Sequence, residues 1–416
     1  MNYDYQIPAV QRTLEILRTS GVVANTSDTG TGKTYITSAA LQQFGTRAFV
    51  IAPLSVHTVW HNVLTQYGVT AHGVINLEKL LRQRTPWYHD NIWHIPENTT
   101  VVMDEAHKGC CNPTSKTNTM LGRLKATQHP MVLQSATLAD SPLKMRATGY
   151  LLGLHKFNPG SFYGWCRQHA CSKSPWHGGL EFSKGPRGKI AMADIGRVLD
   201  PIMVRLRMAD IPGFPECCTE ANLYDLDKEY KDEVDKAYEE MDDALTEPGV
   251  NELVELQKAR QRTELAKIAL IEDLVNDFRS EGKSVVVFVN FTATIEALQK
   301  RMGGVKIYGK QTGLEREIAQ RKFQENVETL CTANCEAGGL GISLHDLRQE
   351  RPRVALITPP WSATTVRQVM GRIHRAGGTK ALQIFVLAAG TVEERIHAAL
   401  KRKLGNLAAL NDDDMR

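Results

Sequence analysis

Short apolar runs recur along the 416-residue chain, separated by longer stretches in which apolar residues return every three or four positions. In the first half the runs are "GVVA" from residue 21, "AFVIAP" from 48, "TTVVMDE" from 99 and "PMVLQSAT" from 130. In the second half they are "SVVVFVN" from 284, "VKIYG" from 305, "TLCTA" from 329, "RVALITP" from 353 and "LQIFVLA" from 382. Runs this apolar and rich in β-branched residues predict strands buried on both faces. Segments such as "TATIEALQKRM" and "TVEERIHAALKRKL" predict the amphipathic helices that cover them. The expected fold class is α/β: two lobes in tandem, each a mostly parallel sheet with helices on both faces.

Between the lobes the pattern changes. Residues 156–190 are rich in Gly, Pro, Trp and basic residues, and residues 225–280 are an acidic, then mixed-charge, helical stretch. Pro212, Pro215 and the adjacent Cys217 and Cys218 mark the expected crossing near residues 211–222. The expected divisions are a first lobe over 1–155, a basic insertion and crossing over 156–218, a second lobe over 219–400 and a tail over 401–416. The acidic helix around "EYKDEVDKAYEEMDD" is expected to be a solvent-facing bridge.

Composition changes this picture little. Fifty Lys and Arg against 46 Asp and Glu leave a formal charge of +4, so any basic surface must be a local patch. No run approaches the ~18 apolar residues of a membrane span, and the first residues lack a basic start with an apolar core. A soluble, cytoplasmic protein with no membrane partner is expected, in a bacterium or a virus-infected host cell. The eight cysteines include two adjacent pairs and no C-x-x-C, so reduced thiols are expected. Cys166, His169, Cys171 and the pair Cys217 and Cys218 either meet around a metal or are small buried side chains.

The chemistry lies in three motifs. After "GVVA" come Thr29, Gly30, Thr31, Gly32, Lys33 and Thr34, in the strand-to-helix context that a phosphate-binding loop requires. Glycines let backbone N–H groups converge on phosphate oxygens. Lys33 reaches the β- and γ-phosphates, and Thr34 can hold magnesium. The spacing G-x-x-x-x-G-K-T is broken at its first position by Ser27.

The second motif, "VVMDEAH", ends an apolar run in adjacent carboxylates. It places Asp104 beside the magnesium and Glu105 where it polarises a water in line with the γ-phosphate. In the third, "QVMGRIHRAGG", Gln368, Arg372 and Arg375 are spaced by four and three, which predicts neighbouring turns of one helix. Arginines there act as fingers on the transferring phosphoryl group, coupling hydrolysis to lobe closure, or are exposed basic residues on a helix.

Taken in order, "SDTGTGKT", "IAPLSV", "VMDEAH", "QSAT", "VVVFVNFTATIEAL", "EAGGLGISL" and "QVMGRIHRAGG" resemble the motifs of the superfamily 2 helicases and translocases over residues 1 to about 400. Within that superfamily the chain is most similar to the Swi/Snf-type DNA translocases, through "APLSVHTVW" with its trailing Trp60, "AGGLGISL" and G-R-x-H-R at 371–375. The resemblance implies two RecA-like domains, ATP and Mg2+ as cofactors, and DNA as the track. That DNA is duplex, single-stranded or branched, held mainly by its phosphate backbone, and RNA is the less expected polymer. One chain supplies both lobes, so a monomer suffices.

The resemblance also implies residue roles. Tyr5 and Gln6 sit at the adenine, while His107, Ser135 and Thr137 relay nucleotide state. Pro53, Leu54, Ser55, Gly338 and Gly339 grip the sugar-phosphate backbone. The chain departs from the branch at "SATLADSP", at Trp361-Ser362-Ala363 and at Gly378, which removes the remodeller signature and leaves the ATPase motifs.

The segment "KSPWHGGLEFSKGPRGK" differs most from a bare motor. Lys173, Lys184, Arg187 and Lys189 make it locally basic, with Trp176 and Phe182 as candidate base-stacking or wedging groups, or else it is a solvated loop with its aromatics tucked inward. The expected activity is ATP-driven DNA translocation or unwinding, with fork or branched-DNA remodelling as its setting. An RNA-directed helicase and an ATP-gated DNA clamp without turnover are the alternatives.

Overall fold

Strand residues dominated by Val, Ile, Phe and Met form two all-parallel sheets, one in each of the two compact units into which the chain divides, up to Pro212 and from Gly213 to Lys401. The computed structural model describes residues 4–136, 138–174, 178–183, 185–245, 252–335, 342–360, 363–391 and 393–394.

In the first unit, β1 (Val22–Asn25), β2 (Arg47–Ile51), β3 (Ala71–Ile75), β4 (Thr99–Asp104), β5 (Met131–Gln134) and β6 (Met203–Val204) pair in the order β6-β1-β5-β4-β2-β3. Successive strand residues point to opposite faces, and Thr99 to Met103 are all buried, so both faces are covered. Helix α1 (Ile7–Ser20) starts with Pro8 in its first turn and stops at Gly21, whose φ of 69° an L side chain adopts poorly. Helix α2 (Lys33–Phe44) leaves the loop after β1 and packs against α1.

The first unit extends well beyond residue 155. The helix Pro159–Gln168 buries Phe162, Trp165 and Cys166 in its core. Helix α3 (Pro186–Leu199) buries Ala191, Met192, Ile195 and Leu199, and β6 completes the sheet edge beside β1. The insertion therefore carries core residues of the first unit, because its aromatic and aliphatic positions recur at helical spacing. Leu180 and Phe182, in a small hairpin of Cys171–Lys173 with Leu180–Phe182, pack half-buried on the same core. Phe182 is thus a packing residue. Arg187 and Lys189 are exposed in the first turn of α3, whereas Trp176 and Lys184 lie outside the described residues.

In the second unit, β7 (Cys217–Tyr224), β8 (Ser284–Val289), β9 (Val305–Ile307), β10 (Leu330–Asn334), β11 (Arg353–Ile357) and β12 (Ala381–Ala388) pair in the order β7-β12-β11-β8-β10-β9. The acidic stretch is not a lone bridge. Helix α4 (Lys228–Leu245) buries Val234 and Ala237 and packs beside α5 (Glu252–Ala266), with Arg262 Nη1 2.6 Å from Glu240 Oε2.

Two buried charged groups fasten α5 and the turn after it to the carboxyl ends of the central strands. Glu264, 2 % exposed, accepts from the backbone N–H groups of Asn290 and Phe291 and from the hydroxyls of Thr294 and Thr358 at 2.7 to 3.1 Å. Lys267 donates to both carboxylate oxygens of Glu393 at 2.6 and 2.7 Å and to the Val386 carbonyl at 3.2 Å. No helix among the described residues is long and apolar enough to cross a membrane.

Candidate nucleotide site

The carboxyl ends of β1, β5 and β4 are side by side, since Asn25 pairs with Gln134 and Asp104 pairs with Gln134. The loops that follow these strands therefore share one edge of the sheet, where parallel α/β folds bind ligands.

The loop after β1 turns sharply into α2 through Gly30 and Gly32, with φ of 86° and 87°. Lys33 folds back, its Nζ donating to the carbonyls of Ser27 (2.8 Å) and Asp28 (3.0 Å). Gln6, 2 % exposed, donates from Nε2 to the Thr31 carbonyl at 2.9 Å, so it braces the phosphate loop directly. A Cβ on Gly32 would stand 2.2 Å from that Nε2. Gly32→Ala combines this clash with left-handed backbone strain of about 1–2 kcal/mol, and nucleotide affinity is expected to fall by about ten-fold or more. A nucleotide titration checks it.

Asp104 is held by three donors. Trp60 Nε1 reaches Oδ2 at 2.8 Å, and the Gln134 amide and the Glu105 N–H each reach Oδ1 at 2.9 Å. Gln134 is in turn fixed by the Thr37 hydroxyl from α2 at 2.8 Å. Burial, and then the neighbouring Glu105 charge, push the Asp104 carboxyl above its usual range, against Gln134, Trp60 and Lys33. A cation beside it would oppose both upward effects.

Asp104 and the Thr34 hydroxyl are hard oxygen donors. Such a pair suits magnesium, which takes one or two protein oxygens and completes its octahedron with phosphate and water. No cluster of three or more His, Cys, Asp or Glu able to hold a metal by itself occurs among the described residues.

Glu105 sits at φ 51° and ψ 50°, a left-handed conformation that is uncommon outside glycine and concentrated at functional sites. Its Oε2 is 3.2 Å from His107 Nδ1, which is itself 3.0 Å from Ser135 Oγ. His107 thus joins the loops after β4 and β5. Thr137 lies outside the described residues, as do Gly338 and Gly339. Pro53, Leu54 and Ser55 follow β2 at the same sheet edge, with Leu54 69 % exposed. Tyr5 precedes α1 in a single helical turn and is half-buried. Trp60 was legible only as a family marker, and its bond to Asp104 explains its place.

In the second unit, Gln368 lies on α6 (Ala363–Met370), but Arg372 and Arg375 do not lie on its next turn. The helix ends before Gly371, a poor helix former, and the following residues form a non-helical turn. Arg372 Nη1 and Arg375 Nη2 both donate to the Ile342 carbonyl, at 2.9 and 3.2 Å. This convergence places two guanidinium groups together without helical spacing.

Burial, and then the charges of Arg375 and Arg353, hold the nearby His345 imidazole down to about 4, with Asp346 opposing. In the unfolded chain it titrates near 6.5. The neutral folded form therefore contributes fully above pH 6.5, and that contribution is lost as pH falls through 4. Stability of the second unit is expected to drop across this window by at most about 3 kcal/mol on this account. Denaturant titrations at pH 7.5 and 4.5 check it, with a smaller drop expected for His345→Gln.

Cys166 and Cys171 are both buried, with Cys171 Sγ donating to the His169 carbonyl at 3.6 Å, whereas His169 Nδ1 is 2.8 Å from the Trp165 carbonyl. Cys217 and Cys218 belong to the other unit, in β7. No disulfide forms among the described cysteines.

A family model, the helicase conserved C-terminal domain, matches residues 266–377. A protein of Acanthamoeba polyphaga mimivirus, named as an ATP-dependent RNA helicase, is 30% identical over 460 residues, covering 99% of this chain and 84% of the viral protein. The DNA repair protein RAD5A of Arabidopsis thaliana is 30% identical over 162 residues, covering 37% of this chain and 15% of its own length. The chromatin-remodeling ATPase INO80 of Saccharomyces cerevisiae is 27% identical over 148 residues, covering 34% and 10%. Among solved structures, a Sulfolobus solfataricus SWI2/SNF2 ATPase core in complex with dsDNA matches 99% of this chain and 93% of its own at 18% identity and a TM-score of 0.40. On the near full-length viral relative and the helicase model, the chain belongs to the superfamily 2 helicases and translocases, enzymes that hydrolyse ATP.

Proposed function

We propose that this enzyme is an ATP-dependent DNA translocase or helicase, acting on forked or branched DNA in replication, recombination or repair. The observation that carries the reading is the convergence of Lys33, Asp104, Glu105 and His107 on one sheet edge, in a chain of this family.

Lys33, released from the Ser27 and Asp28 carbonyls, binds the β- and γ-phosphates, and the glycine-rich loop supplies backbone N–H groups. Thr29, Gly30, Thr31 and Gly32 form that loop, with Tyr5 and Gln6 at the base. Asp104 and Thr34 hold magnesium, which neutralises phosphate charge when bound. Glu105 accepts the proton of the attacking water, and His107 and Ser135 sense the change at its carboxylate, with Thr137 in the same relay. For Gln368, Arg372 and Arg375 the resemblance supplies the role: charge stabilisation on the phosphoryl group. Pro53, Leu54, Ser55, Gly338 and Gly339 take the DNA backbone, joined by Arg187, Lys189, Lys184 and Trp176 of the insertion.

DNA as the track draws support from the names of the repair and chromatin relatives. The viral relative's name favours RNA as a second reading. Steady-state ATPase of the wild type and Lys33→Ala, with no polymer, single-stranded, duplex or forked DNA, or RNA, separates them. Lys33-dependent stimulation by DNA is expected. Stimulation by RNA alone selects the second reading, and DNA binding with no turnover selects a nucleotide-gated clamp.

A further inference from the structure

We infer that Ser27 and Asp28 are positioning residues that tie the phosphate loop to the chain leaving the first unit, so that occupancy of the loop is passed along residues 204–210. The inference rests on the ATP-driven reading above.

Strand β6 ends at Val204, yet its bonding to the phosphate loop continues. Thr26 N–H donates to the Val204 carbonyl at 2.9 Å and Asp28 N–H to the Leu206 carbonyl at 3.0 Å. The side chains then take over. Leu206 N–H donates to Ser27 Oγ and Met208 N–H to Asp28 Oδ2, both at 3.0 Å, and Arg205 Nη2 lies 3.9 Å from Asp28 Oδ1. Ser27 is fully buried in this arrangement. Four residues beyond Met208, Pro212 is the last residue of the first unit.

The same two residues are held from the other side. Their carbonyls accept from Lys33 Nζ, and the Asp28 carbonyl also accepts from the Thr31 hydroxyl at 2.8 Å. When Lys33 turns to a phosphate, the peptides at Ser27 and Asp28 lose a cationic donor and are free to reorient. The Ser27 carbonyl and the Asp28 N–H belong to one planar peptide, so its reorientation moves the donor to the Leu206 carbonyl. Ser27 stands where the G-x-x-x-x-G-K-T spacing has glycine, and phosphate binding through backbone N–H groups needs no hydroxyl there. The hydroxyl instead accepts from the strap, which a glycine cannot do.

Ser27→Gly completes the glycine spacing and separates the two roles. A residue serving only the phosphate loop would leave polymer-stimulated turnover unchanged or raised. The node predicts that the ratio of polymer-stimulated to basal turnover falls about ten-fold, whatever the basal rate becomes, as for loss of a typical coupling energy. Ser27→Thr, which keeps the hydroxyl, is expected to retain stimulation.

Amide hydrogen exchange of residues 204–210 in the full chain, with and without a non-hydrolysable ATP analogue, needs no polymer. Nucleotide is expected to alter protection there in the wild type and not in Ser27→Gly. Full stimulation in Ser27→Gly, or wild-type exchange at 204–210 that ignores bound nucleotide, overturns the inference. If Ser27→Gly fails to fold, the wild-type exchange decides alone. If no polymer stimulates the wild type, the translocase reading fails while the exchange result still decides the node.

Discussion

Replacing Glu105 by glutamine is expected to cut ATP turnover by about a thousand-fold and to leave nucleotide affinity near that of the wild type, the pattern for loss of a positioned general base. The substitution keeps side-chain length and the backbone at φ 51°, removes the proposed acceptor of the water's proton and replaces the carboxylate that faces His107 Nδ1 with an amide. Asp104 remains held by Trp60, Gln134 and the N–H of residue 105, so it keeps its position, while loss of the Glu105 charge removes one of the effects that push its carboxyl upward. Single-turnover hydrolysis alongside a nucleotide titration reads both quantities. Lys33→Ala gives the opposite pattern, with affinity lost first. Turnover by Glu105→Gln within a few-fold of wild type would assign the base to another residue.

The second large effect concerns stability. Lys267 is fully buried, and Lys267→Met leaves the Glu393 carboxylate, 7 % exposed as a residue, without its ammonium partner. Breaking a buried pair from one side costs about 3–5 kcal/mol, because the remaining charge stays desolvated. Replacing both partners with apolar side chains, Lys267→Met with Glu393→Leu, is expected to recover much of that loss. The Ala388 N–H, which Glu393 accepts at 3.0 Å, is the bond the double variant cannot restore. Denaturant unfolding monitored in the second unit tests this. Equal stability of Lys267→Met and wild type would show that the pair contributes nothing net.

The central strands of both sheets were legible because burial on both faces leaves no room for polar alternation: "TTVVMDE" and "SVVVFVN" became β4 and β8. Of the four edge strands, β9 alone was legible. Ala71–Ile75 is short and contains glycine, Met203–Val204 is two residues long, and Cys217–Tyr224 is an edge strand with most residues exposed. Edge strands need only one buried neighbour, so their composition resembles a loop.

The candidate phosphate loop and the Asp104-Glu105 pair stand out in the sequence because their residues are contiguous. Trp60, Gln134 and Glu264 act across long sequence separations; a family motif marked Trp60 without its role, and no local pattern announces the bonds of the other two. The spacing of Gln368, Arg372 and Arg375 suggested a helix that Gly371 interrupts, yet the two arginines still meet at the Ile342 carbonyl. Spacing identified the residues but not the geometry that brings them together.

The central claim is nucleotide-driven movement along DNA, and displacement of a third strand from a DNA triplex by this protein tests it most directly. The wild type with ATP and magnesium is expected to displace the strand, while Glu105→Gln binds the same DNA and leaves it in place. Wild-type ATP hydrolysis stimulated by duplex DNA, with no displacement in either direction along the duplex, would contradict the claim.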